Sequence, residues 1–202
     1  MGKEQPARYY DTAYAGSMSY SKPFNHSYYY PMWKKIMAGS PNLPGIGPTS
    51  SVLDLGCGPG QFAQAAYHHG ISRYLGIDFS KTACQMAQKA LYSIIQDRET
   101  NYTIMHHDLF TVDYKALAAG LPDIHVTCLE TLEHLTNDQA LVTQLSKSLP
   151  GRPITITVPS FDDVSHVRYF RDLKSISDRY SPLLQDFKVE VFSKWFIITG
   201  QL

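Results

Sequence analysis

The chain has 202 residues, 44% hydrophobic and 18% charged, with 18 basic side chains against 18 acidic ones. That length suits one domain with a sizeable core, and the composition excludes a disordered chain. Zero formal net charge removes the usual electrostatic argument for a long nucleic-acid partner, leaving only a locally charged site or a single nucleotide end to consider. No apolar run reaches the roughly 18 residues of a membrane span. The start, MGKEQPARYY, lacks the apolar stretch of a secretion signal. Three cysteines, Cys57, Cys84 and Cys128, form no even disulfide set, so a reduced, cytoplasmic setting is expected.

Residues 1–50 form a leader rich in Tyr, Pro, Gly and Ser. Seven of the 14 tyrosines fall in the first thirty positions. Within the leader only Tyr28 to Ala38, around Trp33, reads as a helix, and the prolines and glycines of Gly39–Ser51 mark a loop. From Ser51 the pattern becomes periodic. Strands are predicted at Ser51–Leu55, Arg73–Ile77, Tyr102–Met105, Ile124–Leu129 and Pro153–Val158. Helices are predicted at Gln61–His69, 80–97, Asn137–Ser148 and Asp172–Tyr180. The end differs, because Phe187–Phe192 and Trp195–Thr199 stand only two residues apart, which is hairpin spacing. The pattern predicts a single α/β Rossmann-like domain over 51–202, with a mostly parallel sheet closed by an antiparallel hairpin.

Two local patterns suggest chemistry. The first is Val52-Leu53-Asp54-Leu55-Gly56-Cys57-Gly58-Pro59-Gly60, which leaves a strand and opens a helix. Asp78 ends the next strand, where an acid can accept hydrogen bonds from ribose hydroxyls. No Gly-Lys-Ser/Thr follows the glycines, so a phosphate-gripping loop is disfavoured. Asp54 would repel a pyrophosphate and suit an ammonium group. The ligand that fits is an adenosyl group joined to a cationic amino acid. The second pattern is Glu130-Thr131-Leu132-Glu133-His134, followed at a distance by His166 and Arg168 in PSFDDVSHVRYF. Both stretches follow strand ends, so both border the crevice of an open α/β sheet. On a helical turn Glu130 would share a face with Glu133 and His134. Three readings stand side by side: polar helix-start residues, His134 or His166 as general base for a hydroxyl, or Glu130, Glu133, His134 and His166 as ligands of a divalent ion. Arg168 could grip a substrate carboxylate or phosphate, or pair with Asp162 or Asp163.

VLDLGCGPG followed by LGIDFS resembles the first two motifs of the class I S-adenosylmethionine-dependent methyltransferases, over about residues 51–200. That resemblance implies a seven-stranded sheet and a set of cofactor contacts. Asp54, Gly56 and Gly58 would line the methionine side, with Cys57 packed beside it. Asp78 would hold the ribose hydroxyls, Phe79 and Leu109 would flank the adenine, and Asp108 would meet its amino group. Gln61, Glu130 and Tyr14 complete the expected cofactor contacts. Tyr9-Tyr10-Asp11-xx-Tyr14 resembles the YDxxY leader of small members of the superfamily, which implies a lid in which Tyr10 and Tyr20 face the acceptor. The ExxEH sequence with a distant histidine resembles the metal-binding pattern of two groups: enzymes that modify the terminal 2′-hydroxyl of small RNAs, and enzymes that O-methylate ubiquinone precursors. The same sequence also occurs in class I enzymes with no known metal. No Asn-Pro-Pro-Tyr/Phe motif for amine methylation is present.

The resulting expectation is a methyltransferase acting on a small molecule, at oxygen rather than nitrogen, with Glu130, His134 and His166 catalytic and Glu133 and Arg168 on the acceptor. The alternatives are a metal-assisted 2′-O-methyltransferase of an RNA terminal nucleotide and a non-catalytic cofactor-binding partner subunit. A monomer or homodimer with no membrane association is expected.

Overall fold

The computed structural model describes residues 2–41, 43–95 and 100–202. Its centre is a seven-stranded sheet in the order β3-β2-β1-β4-β5-β7-β6. The strands are β1 (Ser51–Leu55), β2 (Arg73–Asp78), β3 (Asn101–His106), β4 (Ile124–Leu129), β5 (Pro153–Pro159), β6 (Gln185–Phe192) and β7 (Trp195–Gln201). The first five run parallel, β7 pairs antiparallel with β5, and β6 pairs antiparallel with β7. This is the Rossmann-like architecture expected from the alternation of strands and helices. The sequence-predicted helix at 80–97 runs from Lys81 to Ile94, and its last two positions lie outside the described residues.

β1 is buried along its whole length, as a central parallel strand must be when helices cover both faces. Leu53 and Leu55 join the core beneath α7 (Asp138–Ser148) and α8 (Leu173–Tyr180). Val52 faces the opposite core, built from α3 (Tyr30–Ala38), α4 (Gln61–His68) and α5 (Lys81–Ile94). Asp54 sits beside Val52 in the period-two pattern and is 2% exposed. Thr127 Oγ1 donates to its Oδ1 at 2.7 Å and the Tyr74 hydroxyl donates to its Oδ2.

The leader is not uniform. Met32, Trp33, Ile36 and Met37 of α3 are core residues. By contrast α1 (Ala7–Gly16) and α2 (Met18–Ser21) contain no buried residue. Sequence periodicity predicts neither, because a helix without a buried stripe leaves no hydrophobic period to read. The five-residue α6 (Tyr114–Ala118) escapes the same test by being short. Among the described residues no helix is long and apolar enough to cross a membrane.

Chain order reverses between β1 and β4, since from β1 the sheet grows through β2 and β3 on one side and through β4 and β5 on the other. Such a switch point opens a crevice at the strands' carboxyl ends. Asp78, Leu129 and Pro159 end their strands at that edge.

His125 of β4 is 3% exposed, with Nε2 2.8 Å from Thr155 Oγ1 on β5. Burial lowers its pKa from 6.5 to about 4. The unfolded chain therefore takes up a proton between those values that the folded ring refuses, and stability falls as pH drops. Denaturant unfolding should show the wild type losing about 2 kcal/mol more between pH 7 and pH 5 than His125→Gln does. Equal losses would show that His125 is not the acid-sensitive group.

Candidate active site

A cavity of about 850 Å³ opens at the switch point, toward the upper end of the range for small-molecule pockets. Its floor is the glycine loop. Gly56 has φ 76°, and a Cβ there would collide with Thr131. Gly58 has φ 52° and faces the cavity, where only the Tyr14 ring approaches, its hydroxyl 3.4 Å from the position of an added Cβ. Bare backbone at Gly58 lets a ligand lie directly on the chain. Asp78 fixes the loop: Gly58 N donates to its Oδ2 at 2.9 Å and Ser80 N to its Oδ1 at 2.8 Å. Asp78 is not the cap of α5, because Ser80 holds that position and accepts from Ala83 N. Burial raises the Asp78 pKa, against the pull of those two amide donors.

Asp54, Cys57, Phe79, Asp108 and Leu109 all border the cavity. Burial pushes the Asp54 pKa up to about 6. Asp108 accepts from Phe110 N at 2.9 Å, which turns its loop back over the sheet. The Cys57 thiol is driven well above its ordinary pKa by burial and by the nearby Asp78 and Asp54 carboxylates, so it is a packing group and not a nucleophile. Gln61 also borders the cavity, but its amide donates to Ser19 O at 3.2 Å and Lys22 O at 3.0 Å. The expected cofactor contact is thus a tether that holds the leader in place.

The leader covers the cavity. Tyr10 and Tyr14 project from one face of α1, with ring centroids 6.3 Å apart, and Tyr20 packs edge-on against Tyr14 at 4.8 Å. Tyr10 also meets Phe79 at 5.3 Å and His134 at 5.6 Å, so one ring bridges the two expected halves of the site. Its hydroxyl is buried without a hydrogen-bond partner. Asp11, to which sequence reasoning assigns no role, fastens the helix: Ser80 Oγ donates to its Oδ1 at 2.6 Å and Thr82 N at 3.0 Å. Farther upstream, Thr136 N donates to Glu4 Oε2 at 2.7 Å and Gly2 N to His166 O at 3.0 Å.

The ExxEH segment departs from the expected helical turn. Glu130 has φ 51°, in the left-handed region, and only Leu132–His134 form a single 3-10 turn. Glu130 is held by the strand edge, where its N donates to Thr157 Oγ1 at 2.9 Å and its Oε2 accepts from Trp195 Nε1 at 2.9 Å. The ligand atoms of Glu133, His134 and His166 lie within 4.8 Å of one another, and Glu130 falls outside this group. The expected four-residue set is therefore a set of three with Glu130 beside it.

Glu133 is fully buried, and neither of its oxygens has a hydrogen-bond partner. Glu130 Oε1 is likewise buried and unpartnered. His134 Nδ1 is 2.9 Å from Ser165 O, and His166 Nδ1 is 3.3 Å from Phe161 O. A carbonyl can only accept, so both rings carry their proton on Nδ1 and present a bare Nε2. The two rings are 5.1 Å apart. Burial raises the Glu130 pKa to about 7, and burial with the Glu130 charge raises that of Glu133 well above the ordinary value. Burial lowers His134 to about 4 and lowers His166 as well.

Arg168 corrects another expectation. Its guanidinium donates to Leu132 O at 2.8 Å, to Leu135 O and to Thr136 O, and lies 3.3 Å from Asp138 Oδ1. It does not border the cavity and does not pair with Asp162 or Asp163. The carbonyls left open at the end of the 3-10 turn, with the buried Asp138 behind them, outcompete a ligand for its five donors. Tyr29, Trp33, Phe161, Asp163 and Ser165 also border the cavity, although sequence spacing alone does not single out their roles.

A family model described as "Methyltransferase domain" matches residues 52–150. The match spans just under half of the chain and supports a class I S-adenosylmethionine-dependent methyltransferase. Over 107 residues it is 32% identical to the ubiquinone biosynthesis O-methyltransferase of Idiomarina loihiensis, covering 51% of this chain but only 40% of that protein. The small RNA methyltransferase HEN1 superposes with a TM-score of 0.63 at 20% identity, over 85% of this chain and 24% of that chain. Magnesium protoporphyrin IX methyltransferase from Synechocystis, with bound S-adenosylmethionine, gives 0.61 at 15% identity over 100% and 99%. At such identities the structural likenesses establish the fold.

The cradle fits the family's cofactor, S-adenosylmethionine. The side-chain-free backbone of Gly58, the carboxylate of Asp78 bonded to it and the apolar pair Phe79 and Leu109 all line the cavity. Asp78→Ala should weaken binding of S-adenosylhomocysteine by about ten- to a hundredfold in calorimetry, the scale of hydrogen bonds to a charged group. Unchanged affinity would remove Asp78 from the cofactor site.

Proposed function

We propose that this methyltransferase transfers the methyl group of S-adenosylmethionine to a hydroxyl oxygen of a small molecule, with a divalent cation held by Glu133, His134 and His166. One observation carries the reading. A fully buried carboxylate with no hydrogen-bond donor faces two imidazoles whose only protons are committed to backbone carbonyls. Burying a carboxylate unpaired is costly, and a cation removes that cost. Backbone anchoring of the far ring nitrogen is also the arrangement that orients histidine ligands. The donor set is oxygen and nitrogen without sulfur, which suits Mg, Mn, Fe or Zn.

In this reading Asp78 holds the ribose hydroxyls, Asp108 meets the adenine amino group, and Asp54 supplies negative potential near the methionine ammonium. Tyr10 and Tyr14 close over the donor and exclude water. A cation bound at the second cluster would lower the pKa of the acceptor hydroxyl and fix its orientation toward the sulfonium. Glu130, placed by Trp195, would receive the proton. The named activity of the Idiomarina relative, O-methylation in ubiquinone biosynthesis, supports oxygen as the acceptor atom. The competing reading, an RNA 2′-hydroxyl, draws on the same cluster. It lacks support from the cavity wall, which carries no Lys or Arg among the described residues.

Calorimetry on the chelated protein should detect one site for Mn(II) or Mg(II). Glu133→Gln should weaken that site by at least roughly tenfold while still binding S-adenosylhomocysteine. Methyl transfer that persists undiminished after exhaustive chelation would refute the cation's role.

A further inference from the structure

Seven carboxylates border the cavity, and no Lys or Arg does so among the described residues. Asp54, Asp78 and Asp108 belong to the donor half, and Glu130 and Glu133 to the proposed cation. Glu4 and Asp163 remain. Each has one oxygen already anchored. Thr136 N donates to Glu4 Oε2 at 2.7 Å, while Ser165 N and Oγ donate to Asp163 Oδ1 at 2.9 and 2.7 Å. The anchored oxygens fix both groups at the cavity edge and leave the other oxygen of each open. Neither carboxylate forms an ion pair with Lys or Arg among the described residues.

Rings stand between these two acids. Tyr10 lies against His134, His134 against His166, and His166 against Phe161, with centroid separations of 5.6, 5.1 and 5.8 Å. Tyr20 completes the wall on the lid side. The unpartnered, fully buried Glu133 points into the same space, which marks this end of the cavity as a ligand site rather than a solvated acidic surface.

We infer that the methyl acceptor is a flat aromatic hydroxyl compound carrying an ammonium group, bound ahead of its neutral counterpart, with a carboxylate- or phosphate-bearing one bound weakest. The inference rests on the proposed transfer to a small-molecule hydroxyl and adds the sign of the acceptor's charge. An aromatic wall favours a planar ring and attracts a cation at its faces. Two open carboxylates without counter-ions favour a positive group at the cavity edge, the end away from the reacting hydroxyl, and an anion placed there would meet like charge. Because Glu4 and Asp163 are exposed, the preference is moderate and fades with salt.

The test uses the full chain saturated with S-adenosylhomocysteine and Mn(II), titrated with dopamine, 4-methylcatechol and 3,4-dihydroxyphenylacetate. These share one hydroxylated ring and differ in charge. Dopamine should bind about three- to tenfold tighter than 4-methylcatechol at low ionic strength, and the gap should shrink at high salt. The carboxylate should bind weakest. A Glu4→Gln, Asp163→Asn double variant should narrow the gap between dopamine and 4-methylcatechol, with S-adenosylhomocysteine affinity reporting an intact fold. Equal or tighter binding of 3,4-dihydroxyphenylacetate overturns the inference, as does failure of all three to bind or methylation of an RNA 3′ end in their place. Failure of the wild type to bind S-adenosylhomocysteine would instead refute the methyl-transfer reading itself.

Discussion

A carboxylate removed from water must be matched by donors or by a cation, and this fold is organised around four that are buried almost completely. Asp54 is matched by the hydroxyls of Tyr74 and Thr127. Asp78 is matched by two backbone amides, and in receiving them it shapes the glycine loop. Asp138 is matched by Arg168, Arg179 and the Tyr180 hydroxyl. Of the four, Glu133 alone has no donor among the described residues. Three satisfied acids therefore serve the fold, and the unsatisfied one is the group to which the proposed cation is assigned.

The same requirement explains how two histidines distant in sequence come together. Arg168 reaches from the His166 loop to three carbonyls that end the turn carrying His134, and Asp138 fixes it from behind. The loop's backbone adds a second join, since Val167 N donates to Glu133 O at 2.8 Å. With the two segments joined at these points, Ser165 O falls where it can take the His134 proton. Arg168 is thus a positioning residue whose charge is spent on the scaffold, which is why its guanidinium has nothing left for a substrate anion.

The sheet, the glycine loop and Asp78 are legible in the sequence because their signals are local. Strand burial, glycine at positive φ and an acid at a strand end each follow from neighbours in the chain. The second cluster is legible only as a set of residue types. Its geometry depends on Glu130 entering the left-handed region at the end of β4, and a helical-turn argument cannot anticipate that. Arg168 carries the same lesson, because its partners are the carbonyls between Leu132 and Thr136 and Asp138 at the start of α7, and not the nearby Asp162 and Asp163. α1 is hidden for a third reason. Its stability comes from polar ties and ring contacts with the body, such as Asp11 to Ser80, rather than from a buried stripe.

That last point gives the tyrosine excess its physical meaning. Tyr74, Tyr114 and Tyr180 are core residues whose hydroxyls donate to Asp54, Leu109 O and Asp138. Tyr10, Tyr14 and Tyr20 belong to helices with no buried face of their own. Their rings find an apolar environment against the cavity and one another. Beneath that cover Asp78 and Glu133 are both buried, and a charge there acts through a less polar medium than water. The aromatic face of the leader supplies a dry wall to the cavity, which methyl transfer from a sulfonium needs.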